Sequence, residues 1–370
     1  MGWRALFKSA GLGVAATLGG GIFALPYVIF YAGWFAGIFY FLLFGFLIGT
    51  AHTVYFKTLK GEGEKQRLVG LLRRYFGKVG FFVGLGGIVM GLLLALLAFL
   101  ILGGQFLSVL FPSVPAAVSS FVFWVVAVSP ILFKKKGLAS LELFGVAIFV
   151  LMVLVVAFIS LAYGGRNPSN IAGSSNNWFF AFGPVFFAMA GWTAVEPVYE
   201  FLKKDNFSVK EGWIFYLAEV LVILIYVVFV GSVFRLTTAV TPNVVSGLAL
   251  SNGFLAAFLA AMGCVALLVS YELISLEVLH AIKYDLNFGW ISSLLVVVFT
   301  PFILLNLGLT NFLSILGVVG GVFIGTQYLA IIEVGRRALN FKGWKNFGLV
   351  LVSLIFLLGA VYEVYYFVVR

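Results

Sequence analysis

The chain has 370 residues, of which 63% are hydrophobic and only 10% are charged, and its mean hydropathy is +1.16. A soluble domain has about 45 to 50% apolar and about 25% charged residues, so this composition excludes a water-soluble protein. The net charge of +10 does not indicate a nucleic-acid partner, because the basic residues stand in short clusters between apolar runs.

Apolar segments follow one another along the whole chain. About 20 helical residues cross the hydrocarbon core of a bilayer, and this length predicts eleven transmembrane helices. Their predicted limits are 8–31, 34–56, 79–110, 117–133, 138–162, 178–201, 213–235, 253–282, 288–306, 311–334 and 346–368. We expect the first segment to belong to the mature protein and not to a cleaved signal.

The distribution of basic residues predicts the orientation of these helices. With the N-terminus in the cytoplasm, every Lys and Arg except Arg166, Arg235 and Arg370 lies on the cytoplasmic side. An odd number of spans then places the C-terminus outside. The segment 61–77, in which apolar residues alternate with charges, is predicted to lie along the cytoplasmic surface as an amphipathic helix.

Glycine and proline interrupt the first and sixth predicted spans. Three consecutive glycines, 19–21, and Pro26 weaken the first helix, since each glycine costs about 1 kcal/mol relative to alanine. Gly191 and Pro197 do the same in the sixth span. Alternatively, such glycines do no more than allow helices to pack closely. However, two breaks five spans apart indicate an inverted repeat, since a second five-helix unit enters the membrane from the opposite side.

Several motifs resemble those of the amino acid/polyamine/organocation superfamily, and in particular its amino acid/auxin permease branch. The motifs are GGGIFALP at 19–26, AGW at 32–34, GWTAVEPVY at 191–199, Thr241-Pro242, and SYELISL at 270–276. The last two are similar to bacterial aromatic and hydroxy amino acid permeases, and the likeness covers essentially the whole chain.

The resemblance implies an all-α, LeuT-like fold with five-plus-five inverted repeats and discontinuous helices 1 and 6. The first repeat would cover residues 1–165, the second 166–338, and an added eleventh helix 339–370. It further implies a secondary transporter of the prokaryotic plasma membrane that carries a neutral, apolar or aromatic amino acid without a cofactor. We expect a monomer or weak oligomer.

In this fold the ends of the broken helices bind the substrate. The N–H groups at 20–22 suit a carboxylate, and carbonyls near Thr17 and 186–189 suit an ammonium group. No Asp or Glu precedes Glu62, so the first break offers no carboxylate to a metal ion. Gly103, Gly104 and Gly191 are expected to enlarge the pocket. The predicted substrate-binding residues are Thr17, Gly19, Gly20, Gly21, Ile22, Phe186, Phe187, Met189, Gly191 and Trp192.

The coupling ion is either sodium or a proton. A sodium site carried over from related transporters would use carbonyls of Val14 and Thr17 and positions Ala266, Val269 and Ser270. Val269 stands where a hydroxyl is often found, and Ala15 stands where sodium-coupled animal members of the branch have an asparagine; both departures weaken the sodium hypothesis. Carboxylates within apolar runs are candidate proton carriers, and Glu277 shares a helix face with Ser270. These candidate carriers are Glu142, Glu196, Glu219, Glu272 and Glu277.

The remaining polar residues allow further interpretations. Glu277 and Glu142 can instead pair with Lys283 and Lys136 near the cytoplasm. Arg4 and Asp285 are candidates for a cytoplasmic gate. Both histidines, His52 and His280, are predicted at the membrane interface, and no pattern indicates a transition-metal or nucleophilic site. The alternative functions are a membrane-embedded enzyme acting on lipids or isoprenoids, and a channel.

Overall fold

The structure is a computed structural model that describes residues 3–62, 67–132, 138–165, 177–204 and 211–369. Every long regular element in these ranges is an α-helix. The helices are α1 Trp3–Thr17, α2 Leu25–Ala32, α3 Trp34–Glu62, α4 Leu68–Val83, α5 Met90–Leu110, α6 Ala116–Leu132, α7 Leu138–Tyr163, α8 Phe182–Met189, α9 Val195–Lys204, α10 Glu211–Leu236, α11 Val244–Ala249, α12 Gly253–His280, α13 Trp290–Asn306, α14 Phe312–Val318, α15 Gly325–Leu339 and α16 Gly343–Val369.

The first predicted span consists of two helices that meet at an angle. α1 ends at Thr17, Gly19 is extended, and a single turn at Gly20–Ala24 leads into α2, with a bend of 56° between the two halves. Pro26 stands in the first turn of α2, where a backbone N–H has no helical partner, so the lack of this group in proline costs no hydrogen bond. The glycines therefore break this helix where the sequence predicts.

The sixth predicted span is broken in the same way. α8 ends at Met189, Ala190 is extended, and Gly191 leads into a single turn at Trp192–Ala194 before α9. The break leaves the C-terminal end of α8 and the N-terminal end of the α9 segment facing each other. Backbone groups that are freed inside an apolar environment need partners from protein, ligand or water.

The described helices are suited to a bilayer. Eight helical segments, three of which join two of these helices, are long and apolar enough to cross it, or nine when the bent first pair counts as one span. Two shorter apolar helices, Ala116–Leu132 and Trp290–Asn306, occupy the fourth and ninth predicted positions. Large apolar side chains cover the outside, such as Phe35 and Phe254, which are 85% and 81% exposed. The count of eleven spans and their orientation stay predictions.

Several boundaries differ from the prediction. α3 continues to Glu62, six residues beyond its predicted end. The segment predicted as an amphipathic surface helix is helical from Leu68, and a kink at Gly77, whose φ is +57°, leads directly into the third span. A short helix that the apolar pattern does not show, α11, begins where the Asn243 side chain accepts a hydrogen bond from the Ser246 N–H.

Candidate functional site

The two breaks lie against each other at the centre of the molecule. A Cβ atom added at Gly21 would be 2.7 Å from the Ala188 Cα atom. A Cβ added at Gly191 would collide with the Thr17 hydroxyl group. Only glycine fits at these two points, so the glycines that break the helices also let the broken ends touch.

A cavity of about 650 Å³ begins at this contact and is lined by both breaks. Apolar side chains such as Leu92, Phe99 and Phe187 form much of its wall. Its far end reaches Lys8 and Lys204, which are exposed and lie on the side predicted to be cytoplasmic.

The opposite side of the breaks is filled by aromatic rings. Phe23 is fully buried, and its ring centroid lies 4.8 Å from that of Phe106 and 6.3 Å from that of Phe229. A separate cavity of about 280 Å³ lies beyond them, next to Tyr27 and Glu363. The central cavity therefore opens towards one side of the protein.

The structure divides the predicted substrate-binding residues into two groups. Six of them line the cavity: Thr17, Gly19, Gly21, Phe187, Gly191 and Trp192. The other four are fully buried behind its wall: Gly20, Ile22, Phe186 and Met189. The ring of Phe186, for example, stacks on Phe44 with 4.5 Å between the centroids.

Of the three glycines predicted to enlarge the pocket, Gly191 lines the cavity, whereas Gly103 and Gly104 have another role. A Cβ at Gly103 would collide with the Phe123 ring, and one at Gly104 would collide with the Ser120 hydroxyl. Both glycines thus let α5 and α6 pack closely, and neither lines the cavity. The expectation was wrong because the face of α5 that carries them turns towards α6.

Tyr226 on α10 holds the two breaks together, and the sequence analysis did not single it out. Its hydroxyl group lies 2.6 Å from the Ala188 carbonyl oxygen and 3.3 Å from the Thr17 carbonyl oxygen. It is fully buried. One hydroxyl proton thus serves two carbonyls that helix breakage leaves without a helical partner.

The candidate ion-coupling residues, which are the proposed sodium ligands and the proposed proton carrier Glu277, are only partly brought together. Thr17, Ser270 and Glu277 line the cavity, whereas Val14, Ala266 and Val269 are buried outside it. The Val14 carbonyl accepts the Leu18 N–H at 2.9 Å, and the Thr17 carbonyl faces Tyr226.

A second buried group of side chains lies behind the sixth-span break, and we call it the core cluster: His52, Glu219 and Tyr328. The Gly191 N–H donates to the Tyr328 hydroxyl oxygen at 3.2 Å, and this oxygen lies 2.9 Å from His52 Nε2. His52 Nδ1 is 3.7 Å from Glu219 Oε1. The prediction of an interfacial His52 was wrong, because α3 extends further than predicted and places this residue deep inside.

Arg67, Glu196 and Glu277 line the wall of the cavity near its mouth, and together with the buried Tyr55 behind them they form a third group, which we call the rim cluster. Arg67 Nε lies 3.0 Å from Glu196 Oε2, and its NH1 group lies 2.9 Å from Glu277 Oε2. Tyr55 donates its hydroxyl proton to Glu196 at 2.7 Å. Burial disfavours the charge on Arg67, but Glu277 and Glu196 outweigh it and raise the pKa of the guanidinium group.

The rim cluster changes two sequence-based interpretations. Glu277 pairs with Arg67, and Lys283, its proposed partner, lies over the rings of Tyr284 and Trp290 instead. Asp285 interacts with Arg67 electrostatically. The side chains of Arg4 and Glu142 lie outside the described residues, and so does the proposed gate between Arg4 and Asp285.

Comparison with protein-family models and with curated proteins gives no match to this chain. Solved structures of a manganese transporter from Eremococcus coleocola are similar to it. Two mutants of that transporter give TM-scores of 0.66 and 0.67, and its complex with an aromatic bis-isothiourea substituted compound gives 0.64. Each comparison has 14% sequence identity and covers 98% of this chain and 87% of the other.

At this level of identity the likeness establishes the fold and nothing further. The chain has the all-α, LeuT-like fold of a polytopic membrane protein, with its first and sixth spans discontinuous. The fold that the sequence motifs implied is therefore confirmed. The amino acid/auxin permease branch has no such support and remains a prediction.

Proposed function

We propose that this chain is a secondary active transporter that moves a neutral amino acid across the membrane by alternating access. The observation that carries the proposal is the meeting of two broken helices at one cavity that opens towards one side. A transporter of this kind exposes a midplane site to one side at a time. In the predicted orientation, the open side is the cytoplasm. No observation favours an enzyme or a channel.

The chemistry of the cavity supports a zwitterionic substrate. The first turn at Gly20 and the turn at Trp192 begin at the breaks, and their leading N–H groups have no partner within the helix. These groups and the helix dipole suit a carboxylate. The ends of α1 and α8 present carbonyls, which suit an ammonium group. The rings of Phe99 and Phe187 add an apolar wall for a neutral side chain.

A divalent metal ion is the second candidate substrate, because the similar structures are those of a manganese transporter. Manganese is bound by carboxylate, imidazole and carbonyl groups. Across the described residues, no group of three or more His, Cys, Asp and Glu side chains could hold a metal ion. The acid nearest to either break, Glu196, is already paired with Arg67. These observations favour the amino acid.

We propose a proton as the coupling ion in preference to sodium. The position equivalent to a frequent sodium ligand is Val269, whose side chain has no oxygen. Buried carboxyl groups, in contrast, are present within the described spans. Uptake into proteoliposomes is therefore expected to follow an imposed pH gradient and to ignore a sodium gradient. Uptake that follows only the sodium gradient would contradict this part of the proposal.

A thermal-shift screen of the purified protein tests the substrate class. The twenty amino acids are added one at a time, with and without sodium, and Mn²⁺ is added in a parallel series. A ligand at a hundred times its Kd stabilises the folded state by about 2.7 kcal/mol. We expect a neutral amino acid to raise the melting temperature. Stabilisation by Mn²⁺ alone would overturn the proposal.

Two glycine variants test whether the ligand-induced rise in melting temperature comes from binding at the breaks. Gly191→Ala places a methyl group against Thr17, so the broken ends must separate and the amino acid shift should disappear. Gly231→Ala is the matched control, because no atom lies within 4 Å of the added methyl group. The control should keep the full shift. An equal loss in both variants would place binding elsewhere.

A further inference from the structure

The core cluster is an isolated set of ionisable groups at the junction of three helices. His52 lies on α3, Glu219 on α10 and Tyr328 on α15. The side chains of His52 and Glu219 are only 4% and 3% exposed, and Tyr328 is fully buried. Glu219 Oε2 has no hydrogen-bond partner among the described residues. An ionised carboxylate in such a place is very costly, so this oxygen indicates a missing partner.

The groups that surround Glu219 supply no cation. α10 itself adds Tyr226, α3 adds His52, and α15 adds Tyr328; each is neutral unless His52 gains a proton. Glu196 on α9 pairs with Arg67 in the rim cluster. Among the described residues, no charged side chain of α1, α7 or α8 faces Glu219. A proton is therefore the ligand whose chemistry fits.

The cluster is also connected to both breaks. Tyr328 accepts the N–H of Gly191, which is the residue that breaks the sixth span. Tyr226 stands seven residues after Glu219, on the same face of α10. Its hydroxyl group contacts carbonyls of Thr17 and Ala188, one from each broken span. A change at Glu219 can therefore reach the substrate cavity through two tyrosines.

We infer that Glu219 and His52 form the site that carries the coupling proton, and that Tyr328 links this site to the sixth-span break. The role in coupling depends on the proposed transport function, whereas the binding of a proton by Glu219 does not. The proton resides on Glu219, because a neutral carboxyl group beside a neutral imidazole avoids burying an unpaired charge.

Proton release follows the hydrogen bonds of the cluster. Glu219 Oε1 closes its 3.7 Å gap to His52 and gives its proton to Nδ1, while Nε2 gives its own proton to the Tyr328 oxygen. Tyr328 is fully buried and does not line the cavity, so its original hydroxyl proton passes to cavity water when the turn at Gly191, which does line the cavity, shifts. One proton leaves, Glu219 becomes an anion, and His52 remains neutral with its proton moved to Nδ1.

This transfer changes the bond to the break. Before release, His52 Nε2–H donates to the Tyr328 oxygen and competes with the Gly191 N–H for its lone pairs. After release, the Tyr328 hydroxyl donates to Nε2, and its oxygen is left to accept from the backbone at the break, where Gly191 and Trp192 face it. The protonation state of Glu219 thus controls how firmly one N–H of the substrate site is held.

Infrared spectroscopy of the purified protein tests proton binding without a substrate. Spectra are recorded between about pH 5 and pH 9, around the range in which histidine titrates. The wild type should show the C=O band of a protonated carboxyl group that is lost in Glu219→Gln. Glu363→Gln, which changes another buried carboxyl group, is the matched control and should keep that band. A wild-type minus Glu219→Gln spectrum that shows a carboxylate at every pH would overturn the inference.

Proteoliposomes containing a pH-sensitive dye test coupling. With an equimolar mixture of the twenty amino acids outside, the wild type should take up amino acid and protons together. Glu219→Gln and Tyr328→Phe should reduce the proton flux about a hundredfold, the order expected for a lost proton carrier. Exchange of labelled amino acid across the vesicle should persist in Glu219→Gln, since Glu219 does not line the cavity. Tyr271→Phe removes a buried hydroxyl that has no partner among the described residues, and it should retain coupling.

The results separate this inference from the proposed function. Amino acid uptake without proton flux in the wild type, or normal coupling in Glu219→Gln, overturns the inference and leaves an amino acid transporter. A complete absence of amino acid uptake, together with a carboxyl band that depends on Glu219, contradicts the proposed function and supports the proton site.

Discussion

The rim cluster and the core cluster both contain glutamates within apolar helices, yet their surroundings differ. At the rim, Glu196 and Glu277 are 13% and 15% exposed and share Arg67, which is 34% exposed. In the core, Glu219 is 3% exposed, and the ionisable groups that face it among the described residues are His52 and tyrosines. Water and a permanent cation therefore reach Glu196 and Glu277, and neither reaches Glu219.

This difference separates two uses of a buried acid. An arginine that contacts two carboxylates neutralises charge and ties the helices that carry them, here α9 and α12. A buried acid without a cation beside it must instead bind a proton and so remain neutral. The position of an acid within an apolar run therefore says less about its role than the charge beside it.

Replacing Arg67 should have the largest effect on stability, and it removes the main difference between the two clusters. Arg67→Gln leaves Glu196 and Glu277 without a cation and so makes the rim resemble the core. Loss of one partner of a buried ion pair costs about 3 to 5 kcal/mol, and we expect about 2 kcal/mol here because Arg67 is one-third exposed. The free energy of unfolding in a detergent titration measures this change.

The control for this variant lies on the same segment. Arg73 is exposed, and its described contact is with the Phe81 ring at 5.9 Å. Arg73→Gln should change stability by less than about 0.5 kcal/mol. A triple variant that also carries Glu196→Gln and Glu277→Gln should regain part of this stability, because the two carboxylates that contact Arg67 are then uncharged and only the more weakly coupled Asp285 loses its cation. An equal effect of Arg67→Gln and Arg73→Gln would show that the rim pairs contribute nothing.

The breaks could be predicted from the sequence because their causes are local. Three adjacent glycines and a nearby proline weaken a helix wherever it packs, and the structure breaks at 18–19 and 190–191 as expected. The spacing of these breaks indicated an inverted repeat, and the resemblance of the motifs implied the LeuT-like fold. The six predicted residues that line the cavity lie in or next to the breaks.

The clusters could not be predicted because their contacts join distant segments. Arg67 and Glu277 are 210 residues apart in the chain, and His52 and Tyr328 are 276 apart. Proximity in sequence favoured Lys283 as the partner of Glu277, but the lysine lies over aromatic rings. The burial of His52 depended on where α3 ends, which is the least certain feature of a sequence prediction.

Replacing Tyr226 tests whether the core cluster is joined to the first break. Tyr226→Phe keeps the ring and removes the hydroxyl that faces the carbonyls of Thr17 and Ala188. A buried carbonyl that loses its donor costs about 1 to 3 kcal/mol, so we expect a loss of about 1 kcal/mol or slightly more. Tyr271→Phe should lose nothing. If Tyr226→Phe is equally neutral, water serves these carbonyls and α10 does not link the breaks.

Replacing Tyr55 should have the smallest effect on stability, and it measures how far the rim cluster depends on Arg67. Tyr55→Phe removes one hydrogen bond to Glu196, but Arg67 still holds the other carboxylate oxygen. Stability should therefore fall by less than about 1 kcal/mol. The loss should grow when Arg67→Gln is present, because Tyr55 is then the remaining described donor to Glu196. A double-mutant cycle measures this coupling, and strict additivity would mean that Arg67 and Tyr55 act on Glu196 independently.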